Sequence, residues 1–396
     1  MAEPRIAFLA SGRLFVRDPG RDFREIESRF ARESLDRRSR AQSSNAWRGR
    51  SGVWGQMGMA PPELSQWEGA EATRAMRFRC AARGRHREEL FYVLDMGNVH
   101  GIFRYDLSKD TEYRLVHRDA FPASSLAVHP QGTFATSLAR PDGSAALAFS
   151  KNEGRFWNEV KGGDSVDQSP AWSPCAADAV VFQSAPIARS PQGMFLGLGP
   201  YAIESLQLNQ QGSHSTLVSD EQWDYLLPQL RDDGTLVCIR RPYKAQRDVE
   251  FNWKTVLTDI VLFPYRLLRA LLHFFNFFSV MFAGQPLADS MGTRRTPAQA
   301  PQLLSLWGQM IDTKRAMEAA DKGKTSGLVP KDWVLLQHTA AGEETVLAET
   351  VLSYDFDEDG GLVYADGSAI YYRAPGQDQP VRLCSYPLIE SVIVLR

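Results

Sequence analysis

Three carboxylates at alternate positions, Asp355, Asp357 and Asp359, precede Gly360 in a D-x-D-x-D-G run. Carboxylates spaced this way on a tight loop can converge on a hard cation, and the glycine permits the sharp turn. Calcium is the one metal the pattern offers. Leu362 and Asp366 fall where a twelve-residue calcium loop carries its apolar residue and last carboxylate. Against this, the run continues into the strand-like GLVYAD, no helical pattern flanks it, and Val363 adds no oxygen ligand. A polar turn between two strands is the favoured reading. Calcium at Asp355, Asp357 and Asp359 is the alternative, and no other cofactor is expected.

Other chemistries find less support. Gly323, Lys324 and Thr325 match the end of a phosphate-binding loop, but Glu318 stands where its first glycine belongs. There is no G-x-S-x-G elbow and no H-E-x-x-H pair. The seven histidines never recur at steps of two or four, so no local metal site can be assembled from them. His129 reads as a turn residue and His117 as a strand end, both with surface roles. Cys80, Cys175, Cys238 and Cys384 are far apart, three of them in or beside apolar strand patterns, and read as buried free thiols.

The formal net charge of -2 gives no overall field to draw nucleic acid or an anionic membrane. Near the start, the apolar stretch from Ile6 to Ala10 is too short for a secretion signal, so the expected location is cytoplasmic.

The elements that would carry any site repeat along the chain. SSLAVHPQGTFATSL (124–138), QSPAWSPCAADAVVFQS (168–184), LLPQLRDDGTLVCIRR (226–241) and VLSYDFDEDGGLVYADG (351–367) share a pattern. Each is an apolar strand, a tight polar turn and a second β-rich strand. Third and fourth strands follow in several units, as in GIFRYDLS then EYRLVHR, and AIYYRAPG then PVRLCSY. Four strands per repeat describe propeller blades.

Pro170, Trp172, Ser173 and Pro174, followed by Val181, Phe182 and Ser184, resemble the signature of the TolB-like propeller repeat, a relative of the WD40 class. His129, Pro130 and Gly132, Asp233 and Gly234, and Asp359 and Gly360 keep parts of it, while Cys175 to Asp178 depart from the usual Asp-Gly turn. The resemblance implies a fold and, since such propellers are generally interaction modules, a binding role.

The expected architecture is all-β: a single six-bladed β-propeller over 1–396, closed by both termini, with a helical insertion in blade 5. IESVIVLR at the C-terminus reads as one strand that completes a blade with three N-terminal strands. The other units begin near 72, 123, 167, 223 and 350. Two segments break the pattern. Residues 30–70, between blades 1 and 2, read as an Arg-rich loop, in which Trp47 and Trp54 could stack bases; Glu33 and Asp36 dilute the charge, and nucleic acid is not favoured. Residues 244–331, within blade 5, read as helical, with one helix over 263–283 and another over 301–319. Both segments and the loop 185–201 are expected on one face of the propeller, and long loops on a rigid scaffold commonly carry function.

The 263–283 pattern places Arg266, Arg269, His273 and Asn276 on a narrow stripe. The rest is apolar, including Leu267, Leu271, Phe274, Phe275, Phe278 and Phe282. Its uncharged run is marginal for a bilayer, and no second run could return the chain across. Packing on the propeller, docking of a protein partner through those six residues, and peripheral membrane association through 263–283 remain as readings. The preferred function is a non-catalytic scaffold presenting this segment to a protein partner. A cytosolic propeller with a helical insertion is similar in outline to accessory subunits of AAA+ ATPase systems, though no motif carries that likeness. The alternative class is an enzyme, with a metal-dependent hydrolase or lactonase-like site at the channel mouth.

Overall fold

A computed structural model describes residues 3–50, 76–97, 99–119, 121–160, 163–176, 178–208, 213–244, 303–306, 309–312, 328–339 and 342–395. The chain forms two compact units, Met1–Tyr243 with Thr313–Arg396, and Lys244–Asp312.

Short runs of β-branched and aromatic residues, broken by Gly, Pro and Asp, fold in the first unit as sets of antiparallel strands. The first set contains β1 (Arg5–Ala10), β2 (Arg13–Arg17) and β3 (Phe23–Ile26). After the helix α1 (Arg29–Arg50) come β4 (Arg77–Arg83), β5 (Glu89–Asp95), β6 (Val99–Asp106) and β7 (Thr111–Asp119). The third set is β8 (Ala123–Val128), β9 (Phe134–Ala139), β10 (Ala145–Ser150) and the short β11 (Asn158–Glu159). The fourth is β12 (Ser165–Trp172), β13 (Ala179–Arg189), β14 (Phe195–Leu198), β15 (Ala202–Gln207) and β16 (Ser213–Val218). The fifth begins with β17 (Trp223–Leu230) and β18 (Leu236–Pro242). The second unit supplies β19 (Leu303–Leu306) and β20 (Gln309–Asp312), and the fifth set then resumes with β21 (Val334–His338) and β22 (Glu344–Glu349). The last strands are β23 (Ser353–Phe356), β24 (Leu362–Ala365), β25 (Ala369–Arg373), β26 (Val381–Ser385) and β27 (Ile389–Leu395).

The strand orders are β27-β1-β2-β3, β4-β5-β6-β7, β17-β18-β21-β22 and β23-β24-β25-β26. The third and fourth sets join in a nine-stranded sheet through one parallel pair, Ala145 in β10 with Val166 in β12. β27 pairs antiparallel with β1, from Arg5–Leu395 to Ala10–Ile389, so strands from opposite ends of the chain share one sheet.

The core lies between the sheets. Along β1, Ile6, Phe8 and Ala10 pack against Val363, Ala365 and Ile370 of the last sheet. Ala7 and Leu9 face the other way, against Leu90, Tyr92 and Phe103 of the second sheet. This is the two-residue period of a strand whose two faces are both covered. The same packing continues from the second strand set to the third through Phe91, Ile102 and Phe134, and from the third to the fourth through Leu147 and Phe182. Ile203 of the fourth then packs with Tyr225 and Cys238 of the fifth.

Six hairpins share one turn. The N–H groups of His129, Arg140, Ser190, Arg231, Thr339 and Asp357 each donate to the carbonyl four residues on, and the glycine three residues on donates back. Those glycines have φ between 80° and 90°, the left-handed region in which a β-carbon is strained.

Four expectations are corrected. The segment opening 30–70 is not a loop: Arg29–Arg50 is helical. It holds Ala, Arg, Glu and Leu and no proline, all favourable to a helix, and Ser28 Oγ caps it by accepting the Ala31 N–H at 3.2 Å. Residues 303–312, read as part of a helix over 301–319, form the β19–β20 hairpin, with Leu303 opposite Asp312 and Leu306 opposite Gln309. Over apolar runs this short, periodicity does not separate a strand from a buried helical segment. Cys175 is exposed, because its turn projects from the strand ends, whereas Cys238 is buried. His129 is buried rather than a surface residue, at 7% exposure. The rest of 244–331, including Leu267, Leu271, Phe274, Phe275, Phe278 and Phe282, lies outside the described residues apart from its two ends.

Candidate functional site

A cavity of about 1280 Å³ is lined by one strand from each set: β27, β4, β8, β12, β17 and β23. It opens among the turns that follow the last five of these, at Gly84–Arg87, His129–Pro130, Ser173–Pro174, Arg231–Asp232 and Asp357–Gly360. Because neighbouring strands run antiparallel, α1 and the residues after β18 leave from the opposite strand ends.

Asp355 lines the cavity and is 5% exposed. Its carboxylate gathers groups from three other sheets. It accepts the Val394 N–H at 2.8 Å, its own neighbour Phe356 N–H at 2.9 Å and Gln229 Nε2 at 3.4 Å. Arg83 Nη1 stands 3.7 Å away. Asp357 is used by its own turn: Oδ1 accepts the N–H groups of Asp359 at 3.1 Å and Gly361 at 2.5 Å, and Oδ2 accepts the Tyr372 hydroxyl at 2.8 Å. Burial, with the Asp357 carboxylate beside it, pushes the Tyr372 phenol up to about 12. Asp359 is exposed at the rim. The three carboxylates singled out in the sequence therefore border one cavity, but Asp355 and Asp357 serve different hydrogen-bond networks and Asp359 is exposed. Among the described residues, no group of three His, Cys, Asp or Glu side chains is placed to hold a metal ion.

The rim is rich in arginine. Arg85 Nη2 donates to Glu153 at 3.2 Å, and Arg87 Nη2 to Glu358 at 3.1 Å. Arg231 lies over the Phe356 ring at 4.6 Å. A β-carbon added to Gly360 would come within 3.0 Å of Arg231 Nη2, and one on Gly132 within 2.9 Å of Arg85 Nη1. These two turn glycines therefore serve twice, through positive φ and through the room they leave for a guanidinium. His129 closes the wall: Nδ1 accepts the Gln131 N–H at 3.1 Å and the ring meets Trp172 edge-on at 4.9 Å.

Arg83, Arg85, Gln229 and Arg231 were not singled out in the sequence. One signal was available. His129, Arg231 and Asp357 each stand three residues before a turn glycine, so aligning the repeats on those glycines brings these residues to one ring.

Face-to-face four-strand sheets arranged around a common cavity define a β-propeller. This is the fold class that the resemblance of the Pro170–Pro174 motif implied. A chain of the nidogen/laminin complex matches with TM-score 0.51 and 7% identity, covering 100% of this chain and 99% of that one. TolB from Acinetobacter baumannii matches with TM-score 0.49 and 11% identity over 98% of this chain, which spans 66% of that TolB chain. A protein described as a putative gluconolactonase matches with TM-score 0.40 and 9% identity, covering 79% and 80% of the two chains. Likeness at these identities extends to the fold alone. No family model matches this sequence, and no curated relative matches it. Among the described residues, no helix is long and apolar enough to cross a membrane.

Proposed function

We propose that this chain is a non-catalytic propeller scaffold that presents its inserted segment to a protein partner. On this reading the six strand sets are six blades, 30–70 lies between the first two, and 244–331 interrupts the fifth. The supporting observation is the root of the insertion. Arg240 in β18 pairs with Val334 in β21, so the chain leaves a sheet and returns to the adjacent strand of that sheet. Beside this point Arg241 Nε donates to Asp224 Oδ2 at 2.9 Å, and the two side chains are only 1% and 3% exposed. Arg241 also lies 4.8 Å over the ring of Trp333, just before β21. Tyr243 continues the anchorage, its hydroxyl donating to the Leu198 carbonyl at 2.5 Å.

Burial pushes the Asp224 carboxyl up and the Arg241 guanidinium down, each opposed by the charge of the other. Such a pair adds little net stability over an apolar filling, but it fixes one arrangement, because removing either partner strands a buried charge. A segment rooted this firmly is suited to presentation.

Affinity capture with the intact chain, beside a variant in which 250–330 is replaced by a Gly/Ser linker, tests this reading. A partner held by the intact chain and lost with the replacement supports it. Equal capture by both, or by neither while both are folded, removes it. A metal-dependent hydrolase or lactonase-like activity at the cavity then becomes the reading to pursue, on the strength of the cavity alone.

A further inference from the structure

We propose that the cavity mouth is an anion site in which Arg83 and Arg231 bind a carboxylate- or phosphate-bearing ligand. The argument compares the donors and acceptors around it. Most carboxylates there are already engaged. Asp355 and Asp357 accept the backbone and side-chain donors described above, and Glu358 takes Arg87. Glu3 accepts Arg17 Nη2 at 2.8 Å and the Gly20 N–H at 3.3 Å. Asp232 and Asp359 lie in exposed turns at the outer edge.

The guanidinium groups differ. Arg83 approaches Asp355 only to 3.7 Å, beyond hydrogen-bond length. Arg231 is half-buried over Phe356 and, among the described residues, makes no ion pair and no side-chain hydrogen bond. The buried Nε of Arg85 has no acceptor either. Two arginine forks thus border consecutive residues of β23, Asp355 and Phe356, with donors left for solvent or a ligand.

A guanidinium offers five N–H donors in a planar fork that matches two oxygens of a carboxylate or phosphate. Stacking on Phe356 holds the Arg231 fork in one plane, and the space beside Gly360 allows it to lie there. Less freedom is then lost when an anion binds. At about 1280 Å³ the cavity is larger than most metabolite pockets, so it accepts either a multiply charged small molecule or an acidic peptide segment. The shared chemistry is the anionic group. Among the described residues, none of 250–330 lines the cavity, so replacing that segment should leave the site's own residues intact.

Titration calorimetry of the full chain at low salt, with citrate, inorganic phosphate and a hexaglutamate peptide as probes, tests the proposal. At least one probe should bind at 1:1. Arg83→Gln and Arg231→Gln should each weaken it about tenfold, as expected for loss of a charge-assisted hydrogen bond. Arg87→Gln, whose arginine already holds Glu358, should change affinity by less than about twofold. Arg231→Lys keeps the charge without the fork and should bind more weakly than the parent chain. Thermal melts of each variant establish that it is folded. Citrate or phosphate without hexaglutamate assigns the site to a small molecule, and hexaglutamate alone assigns it to a peptide; both support the proposal. Binding of none of the three, or binding unmoved in the folded Arg83→Gln/Arg231→Gln double variant, overturns it.

Discussion

In the turn after β8, His129 trades solvent for a ring contact with Trp172 of the next strand set. Burial holds its pKa below the ordinary value of about 6.5, against a smaller upward pull from Asp178, and burial lowers His338 in the same direction against Glu344. The folded chain therefore takes up fewer protons than the unfolded chain as pH falls through about 6.5, and stability declines until the folded-state pKa has been passed. Thermal melts at about pH 7.5 and about pH 5 should show the lower midpoint in acid, and His129→Gln should flatten part of that slope. An unchanged slope in the variant would assign it to other groups. The backbone role of His129 was legible in the sequence, since Pro130 and Gly132 mark a turn. Its burial was not, because the residue covering it lies 43 positions away in another strand set.

The helix α1 is secured by its first turn. Glu112 in β7 accepts the Phe30 N–H at 2.9 Å and the Ser28 hydroxyl at 2.6 Å, and it also accepts the hydroxyl of Tyr92. A carboxylate at a helix N-terminus meets free N–H groups and the positive end of the dipole. Phe30 packs on Phe103 at 5.3 Å and beneath the Arg114 guanidinium at 5.1 Å. Replacing Glu112 by Ala should cost about 1–2 kcal/mol and raise amide exchange across residues 30–36, read by hydrogen exchange with mass spectrometry. Protection unchanged there would mean that packing of Phe30 and Ala31 alone holds the turn. The sequence obscured this helix for a physical reason. Its apolar stripe amounts to little more than Phe30, Ala31 and Leu35, and its carboxylate cap is supplied from 82 residues away.

Across the whole first unit, β27 joins two ends of a ring of stacked sheets. Ile389, Val392, Val394 and Leu395 are all buried, and Val394 also donates its N–H to Asp355 in the cavity wall. At about 1.5–3 kcal/mol for each buried side chain, their removal rivals the entire 5–15 kcal/mol by which domains are commonly stable. Deleting 389–396 should therefore abolish the cooperative thermal transition seen by circular dichroism. A sharp transition retained near the parent midpoint would show that the first sheet holds without its partner strand. Much at this scale was legible. Strand sets expected to begin near 123, 167, 223 and 350 start at Ala123, Ser165, Trp223 and Ser353, because turn residues punctuate them locally. The cavity was not, since its lining is gathered from six strands scattered along the chain.

The single parallel pair between Ala145 and Val166 bears on how such a molecule could change its number of repeats. Where sheets meet only through side chains, a repeat can be duplicated or lost and the neighbouring faces repacked. Among the described residues, strand pairing crosses from one set to the next only here, and Ser137 Oγ reinforces the crossing by donating to the Asp167 carbonyl at 2.6 Å. Excising either the third or the fourth set would break the one backbone bridge that joins them, Ala145 with Val166. At this seam, gain or loss of one set alone would disturb backbone pairing as well as the packing of side chains.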